Sequence, residues 1–110
     1  MPLYMFQAGY KGESWKTQME GQQDARGRIS GLVESVGGKM IDAYYSFGDY
    51  DLLIIADLPD NHAAAAVSLT ASAGGSLTGI KSSPLLTLEE GKEVLGKAAK
   101  AGQSYKAPIR

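Results

Sequence analysis

Apolar and polar positions recur along this chain with two periods. Leu3 to Tyr10 has the two-residue period of a strand, with Tyr4, Phe6 and Tyr10 on one parity. Lys11-Gly12-Glu13-Ser14 reads as a loop. From Trp15 to Val36 the pattern is helical: Ala25, Ile29, Leu32, Val33 and Val36 share one face. Gly21, Gly27 and Gly31 weaken this helix, each by about 1 kcal/mol relative to alanine if interior, and a break near Gly21 is expected. Gly37-Gly38 ends it. Lys39–Phe47 and Tyr50–Leu58 read as strands, the second apolar on both faces from Leu52 to Ile55. Asp60 then caps a helix whose Ala63–Ala66 run has the highest intrinsic helix propensity. Gly74-Gly75 closes it. Leu77–Leu86 holds a fourth strand, interrupted at Pro84. Thr87-Leu88-Glu89-Glu90 is a capping box opening a short helix with Val94, Leu95, Ala98 and Ala99 on one side.

The order is β-α-β-β-α-β followed by an extra C-terminal helix. This α+β order predicts a ferredoxin-like domain over residues 1–101, with a tail or arm over 102–110. Right-handed crossovers place both main helices on one face of a four-stranded antiparallel sheet of order 4-1-3-2. Gly48-Asp49 suits a two-residue type II′ turn, with glycine supplying positive φ. That turn pairs Phe47 with Tyr50, Tyr45 with Leu52, Ala43 with Ile54 and Ile41 with Ala56, all on one uncharged face. The other face carries Met40, Asp42, Tyr44, Ser46, Asp51, Leu53, Ile55 and Asp57. It is apolar enough to need cover and polar enough to hold a site. A one-residue slip would exchange the faces of a strand. With helices available for one face only, a second subunit is expected on the other. Two such sheets packed face to face make a dimeric α/β barrel.

Composition narrows the function classes. At 110 residues the chain fits a single domain. A net charge of -1 with scattered Lys and Arg gives no electrostatic footprint for nucleic acid, so no nucleic-acid partner is expected. The absence of cysteine removes disulfides, thiolate metal sites and cysteine nucleophiles, and is compatible with a cytoplasmic location. No signal-peptide pattern and no apolar run of membrane-spanning length is visible, so no membrane partner is expected.

Gly48, Tyr50 and Asp51 match a Gly-x-Tyr-Asp signature, and over about the first hundred residues the chain resembles the GYD domain family. The Asp57-Leu58-Pro59-Asp60 segment is similar to a Glu-x-Pro-Asp segment common there. The resemblance implies a ferredoxin-like fold of the dimeric α/β-barrel group. That group includes small monooxygenases, isomerases, chlorite dismutase-like proteins and the ligand-binding domains of leucine-responsive-type regulators. The resemblance specifies a fold and no reaction.

Candidate chemistry gathers at the hairpin. Asp51 and Tyr50 have two readings. In one, Tyr50 packs on Phe47 and Asp51 accepts hydrogen bonds that fix the hairpin or the interface. In the other, Asp51 is a base, acting with a tyrosine, or a ligand anchor at the mouth of a cavity. Topology brings Tyr10, Lys11 and Trp15 near Phe47, Asp49 and Tyr50, and toward Ser76. This set reads either as a small-molecule pocket or as an aromatic minicore sealing the barrel end. Tyr44, on the mixed face, joins the candidate ligand-binding residues. His62, the single histidine, falls in the first turn of a helix at the opposite end and reads as solvated surface. It has no partners at metal-ligand spacing, so neither a metal nor another cofactor is expected. Gly74-Gly75-Ser76 lies between a helix and a strand, the reverse of a phosphate-binding loop. Two functions lead, with a purely structural oligomer as a third class. The first is a homodimeric or larger homo-oligomeric module binding a small organic molecule. The alternative is a cofactor-independent isomerase, dehydratase or small monooxygenase using Asp51.

Overall fold

A computed structural model describes residues 1–108 of the chain. In order they form β1 (Leu3–Tyr10), α1 (Gly12–Gly21), α2 (Ala25–Ser35), β2 (Lys39–Tyr45), β3 (Leu52–Asp57), α3 (Asn61–Ala73), β4 (Leu77–Leu85) and α4 (Leu88–Gly102). The sheet order is β2-β3-β1-β4, with every neighbouring pair antiparallel, as the topology predicts. Tyr4, Phe6 and Ala8 of β1 and Leu52, Ile54 and Ala56 of β3 meet Ile29 and Val33 of α2 and Ala63, Ala64 and Val67 of α3 in one core. The small alanines let α3 lie close on the sheet.

The long helical reading divides where the glycine pattern weakens. α1 ends at Gly21, and Gln22 takes a left-handed conformation with φ 47°. Asp24 then caps α2, its carboxylate accepting the Arg26 amide at 3.0 Å. The expected loop at Lys11–Ser14 is shorter than its composition suggests, because α1 begins at Gly12 and the Lys11 carbonyl accepts the Trp15 amide.

Three local expectations are corrected. The loop between β2 and β3 is not a two-residue turn at Gly48-Asp49. The Ser46 amide donates to the Asp51 carbonyl at 2.9 Å and the Gly48 amide to the Tyr50 carbonyl at 3.0 Å, so a wider loop spans Phe47–Tyr50. Phe47, not Gly48, carries the positive φ, at 47°. Secondly, the predicted register holds from Tyr45–Leu52 to Ala43–Ile54, but a bulge intervenes between Met40 and Asp42. Met40 therefore pairs with Ala56 and packs on the core, and Ile41 is exposed. One extra residue reverses the parity beyond it. Thirdly, β4 runs through Pro84, which pairs with Tyr4. β4 is an edge strand, where a missing N–H can be tolerated.

Gly38, between α2 and β2, is tightly packed. A Cβ there would stand 2.6 Å from the Asp57 carbonyl oxygen and 3.1 Å from Val33 Cγ1. α4 has both halves of its predicted capping box, with Thr87 and Glu90 exchanging hydrogen bonds at 2.8 and 3.0 Å. At 15 residues it is long rather than short, and none of its residues is buried. Leu95 is 71% exposed and Leu88 93%. The Cα radius of gyration, 17.5 Å, exceeds the roughly 13 Å of a compact 100-residue domain, as a projecting helix requires.

Candidate functional site

The hairpin end of the sheet is built around Asp51. β1 ends in an irregularity at Gly9/Tyr10, where the ladder to β4 shifts, and its pairing with β3 stops at Ala8. The Asp51 amide donates to the Ala8 carbonyl, and its Oδ2 accepts the Tyr10 amide, both at 2.9 Å. The carboxylate thus replaces the main-chain acceptor that β3 no longer supplies. Gly9 is buried beside it: a Cβ there would stand 2.5 Å from Thr78 Oγ1 and 3.8 Å from Asp51 Oδ2. Tyr50 contributes its carbonyl, which accepts Ser46 Oγ at 3.0 Å as well as the Gly48 amide.

The aromatic side chains form a cluster at this end. Trp15 of α1 packs edge-on to Tyr10, with ring centroids 5.0 Å apart. It also meets Tyr45 at 5.8 Å and Phe47 at 5.9 Å. Phe47 stacks on Tyr45, with centroids 5.5 Å apart, and not on Tyr50 as expected. Tyr45 is the member the sequence did not single out, although its shared parity with Phe47 pointed there. Asp49 is exposed on the loop. The Lys11 amide donates to the Ser76 carbonyl at 2.9 Å, which places β4's entry beside the start of α1.

Tyr44 is not part of this constellation. It projects on the open face of edge strand β2, where its hydroxyl donates to Asp42 at 2.5 Å. That bond, then the Ala43 amide and the nearby Arg26 guanidinium, hold the Asp42 carboxyl below its ordinary range. The same bond and the charge of Asp42 push the Tyr44 phenol up.

Between the sheet and helices α2 and α3 lies a cavity of 340 Å³. Its walls are apolar, including Phe6, Ile29, Leu32, Val67 and Ile80, and Tyr10 and Arg28 also line it. A polar cleft lined by Lys11, Glu13, Ser14 and Gln18 shares Tyr10, Arg28 and Ser76 with the cavity. Arg28 therefore stands between an apolar chamber and a wet vestibule. Its Nη2 donates to the Tyr10 hydroxyl at 2.9 Å and to Gln18 Oε1 at 3.4 Å, and its Nη1 to Gln23 Oε1 at 3.1 Å. Gln18 is a buried polar residue, fixed from its other end by Ser14 Oγ at 3.1 Å. Neither Arg28 nor Gln18 was singled out from the sequence. The available signal was a charge within an apolar stripe, because Arg28 sits at helical spacing between Ala25 and Leu32.

Among the described residues no group of three or more His, Cys, Asp or Glu lies together in a form that could hold a metal ion. His62 is exposed in the first turn of α3. Among the described residues no helix is long and apolar enough to cross a membrane.

The architecture is that of a ferredoxin-like α+β domain with one sheet face left open. The chain belongs to the GYD domain family, whose model matches residues 4–95. No curated protein matches it. Among solved structures it is similar to MtbAldR, with 14% identity and a TM-score of 0.50, over 78% of this chain and 52% of that one. A second similar structure is an AsnC family transcriptional regulator from Agrobacterium tumefaciens, with 19% identity and a TM-score of 0.48, over 78% and 51%. The chain thus spans about half the length of these proteins, and the likeness to MtbAldR concerns the fold alone.

Proposed function

We propose that this protein is a homo-oligomeric module that binds a small organic molecule. The observation that carries the reading is the 340 Å³ apolar cavity opening beside Arg28 and Tyr10. Its volume falls in the range of small-molecule sites, about 300–1,000 Å³, and apolar walls with few polar groups are the usual composition of such sites. Assembly is supported by the face of the sheet that α2 and α3 leave open. Leu3, Met5, Leu53 and Ile55 share that face and are only half-buried. Face-to-face pairing with a second copy would remove them from water, and the apolar side of α4 would be covered in the same assembly. Nucleic acid has no part in this reading, because the basic residues are scattered along the chain. The binding reading stands ahead of the enzymatic one because Asp51 already accepts the Tyr10 amide, which makes it a brace for the strand end.

Light scattering at micromolar concentration tests the assembly: a dimer or larger species is expected, and a compact monomer refutes it. A thermal-shift screen with small apolar probes tests the binding, since a ligand specific to the folded state at 100 times its Kd stabilises by about 2.7 kcal/mol. Ala71→Phe, which fills the chamber from α3, is expected to abolish the shift without changing the oligomer. Retention of every shift in that variant refutes the cavity as the site.

A further inference from the structure

We propose that the molecule held by the cavity is an amphipathic organic acid, with its apolar body in the chamber and its carboxylate on Arg28. The proposal rests on the cavity being a ligand site, as above, and adds the chemical class.

Arg28 is a permanent cation, and its three hydrogen-bond partners, Tyr10, Gln18 and Gln23, are all neutral. The ion pairs among the described residues involve other groups, Met1 with Asp57 and Arg26 with Asp42. The guanidinium is therefore held in place without being neutralised. It stands where an apolar chamber meets a polar cleft, the position at which the head group of an amphipathic ligand would sit.

The bonding pattern leaves the Nε hydrogen and one Nη1 hydrogen without a partner in these contacts. The longest bond, 3.4 Å to Gln18, lies on Nη2. A carboxylate replacing that bond would meet the Nε–Nη2 edge of the fork with two parallel hydrogen bonds, the arrangement guanidinium and carboxylate groups favour. The cleft adds Lys11 and one opposing carboxylate, Glu13. With Arg28 the local balance is one net positive charge, which suits a monoanion better than a phosphate dianion. Beyond the arginine the walls offer Ile29, Leu32, Val67 and Ile80, which reward a hydrocarbon or aryl body. At roughly 30 Å³ per water-sized group, the chamber accommodates a body of about ten non-hydrogen atoms.

The test compares octanoate with 1-octanol, which share a chain and differ in charge, by calorimetric titration of the full-length protein at pH 7. Octanoate is expected to bind more tightly by up to about fivefold, the range of an ion pair to an exposed guanidinium. Arg28→Met is expected to remove that advantage while 1-octanol still binds, and Arg28→Lys to keep part of it. Methyl resonances of Ile29 and Ile80 should shift with either ligand. Equal affinities in the wild-type protein, or preference for the alcohol, overturn the acid class and leave the cavity as a binding site. Undiminished octanoate affinity in folded Arg28→Met does the same. Failure of both ligands to bind or to move those methyl resonances overturns this proposal and the cavity reading together. The wild-type comparison stands even if an Arg28 variant does not fold.

Discussion

Replacing Asp51 separates a bracing carboxylate from a catalytic one. In the folded protein Asp51 Oδ2 accepts the Tyr10 amide at 2.9 Å in a half-buried position, where β1 outruns its main-chain partners. Asp51→Ala leaves that N–H without its acceptor. A stranded donor of this kind costs about 1–3 kcal/mol. Asp51→Asn keeps a carbonyl acceptor and loses only the charge assistance, the difference between a net contribution of about 1.5–3 and about 0.5–1.5 kcal/mol. The alanine variant should therefore lose roughly twice as much stability as the asparagine variant. In melting temperature this is about 4–8 °C per kcal/mol for a domain near this size. Urea unfolding followed by circular dichroism measures the difference, at fixed protein concentration so that assembly contributes equally. Hydrogen exchange at the Tyr10 amide reports the bond itself and should quicken most in Asp51→Ala. The reasoning is refuted if Asp51→Ala stays within about 0.5 kcal/mol of wild type, or if Asp51→Asn falls as far as the alanine variant. Ligand affinity that survives Asp51→Asn, with no conversion of the ligand by the wild type, removes the enzymatic reading's principal residue.

Other outcomes follow from the same geometry. Gly38→Ala should destabilise by about 1–3 kcal/mol in urea unfolding, because its Cβ would meet the Asp57 carbonyl and the Leu58 side chain. Gly48→Ala should be neutral within about 0.5 kcal/mol, since its φ is not left-handed and open space surrounds the site. Tyr44→Phe should raise the Asp42 titration midpoint, followed by carboxyl carbon shifts, because the largest cause of its depression is removed. A carboxyl depressed in the folded state contributes stability above its unfolded pKa and loses it as pH falls through the lowered folded value. The Tyr44→Phe effect should accordingly be confined to neutral pH and vanish in acid, and an unmoved midpoint refutes the assignment. Deleting residues 88–110 should leave circular dichroism of the sheet and core intact, because α4 buries none of its residues, and should weaken self-association measured by light scattering.

Sequence alone determined the element order and the sheet topology. These depend on periods of two and 3.6, on glycine pairs and on caps, all local properties of the chain. Asp24 and Asp60 cap helices through their own carboxylates, and the Thr87–Glu90 box closes on itself within four residues. The Gly-x-Tyr-Asp signature was legible for the same reason, as was the gathering of Tyr10, Trp15 and Phe47 at one end of the sheet. The tertiary structure alone decided what those side chains contact. Whether Asp51 braces or reacts depends on where β1 outruns β3, which is set by pairing between residues about 40 positions apart. The bulge beside Ile41 and the passage of β4 through Pro84 reflect long-range register and edge position, which no local pattern encodes. Arg28 is the clearest case. On the helix it is one charge bordering an apolar stripe. Packing of α1, α2 and the end of β1 sets three neutral acceptors around this exposed guanidinium at the edge of a cavity, an arrangement that only the tertiary structure creates.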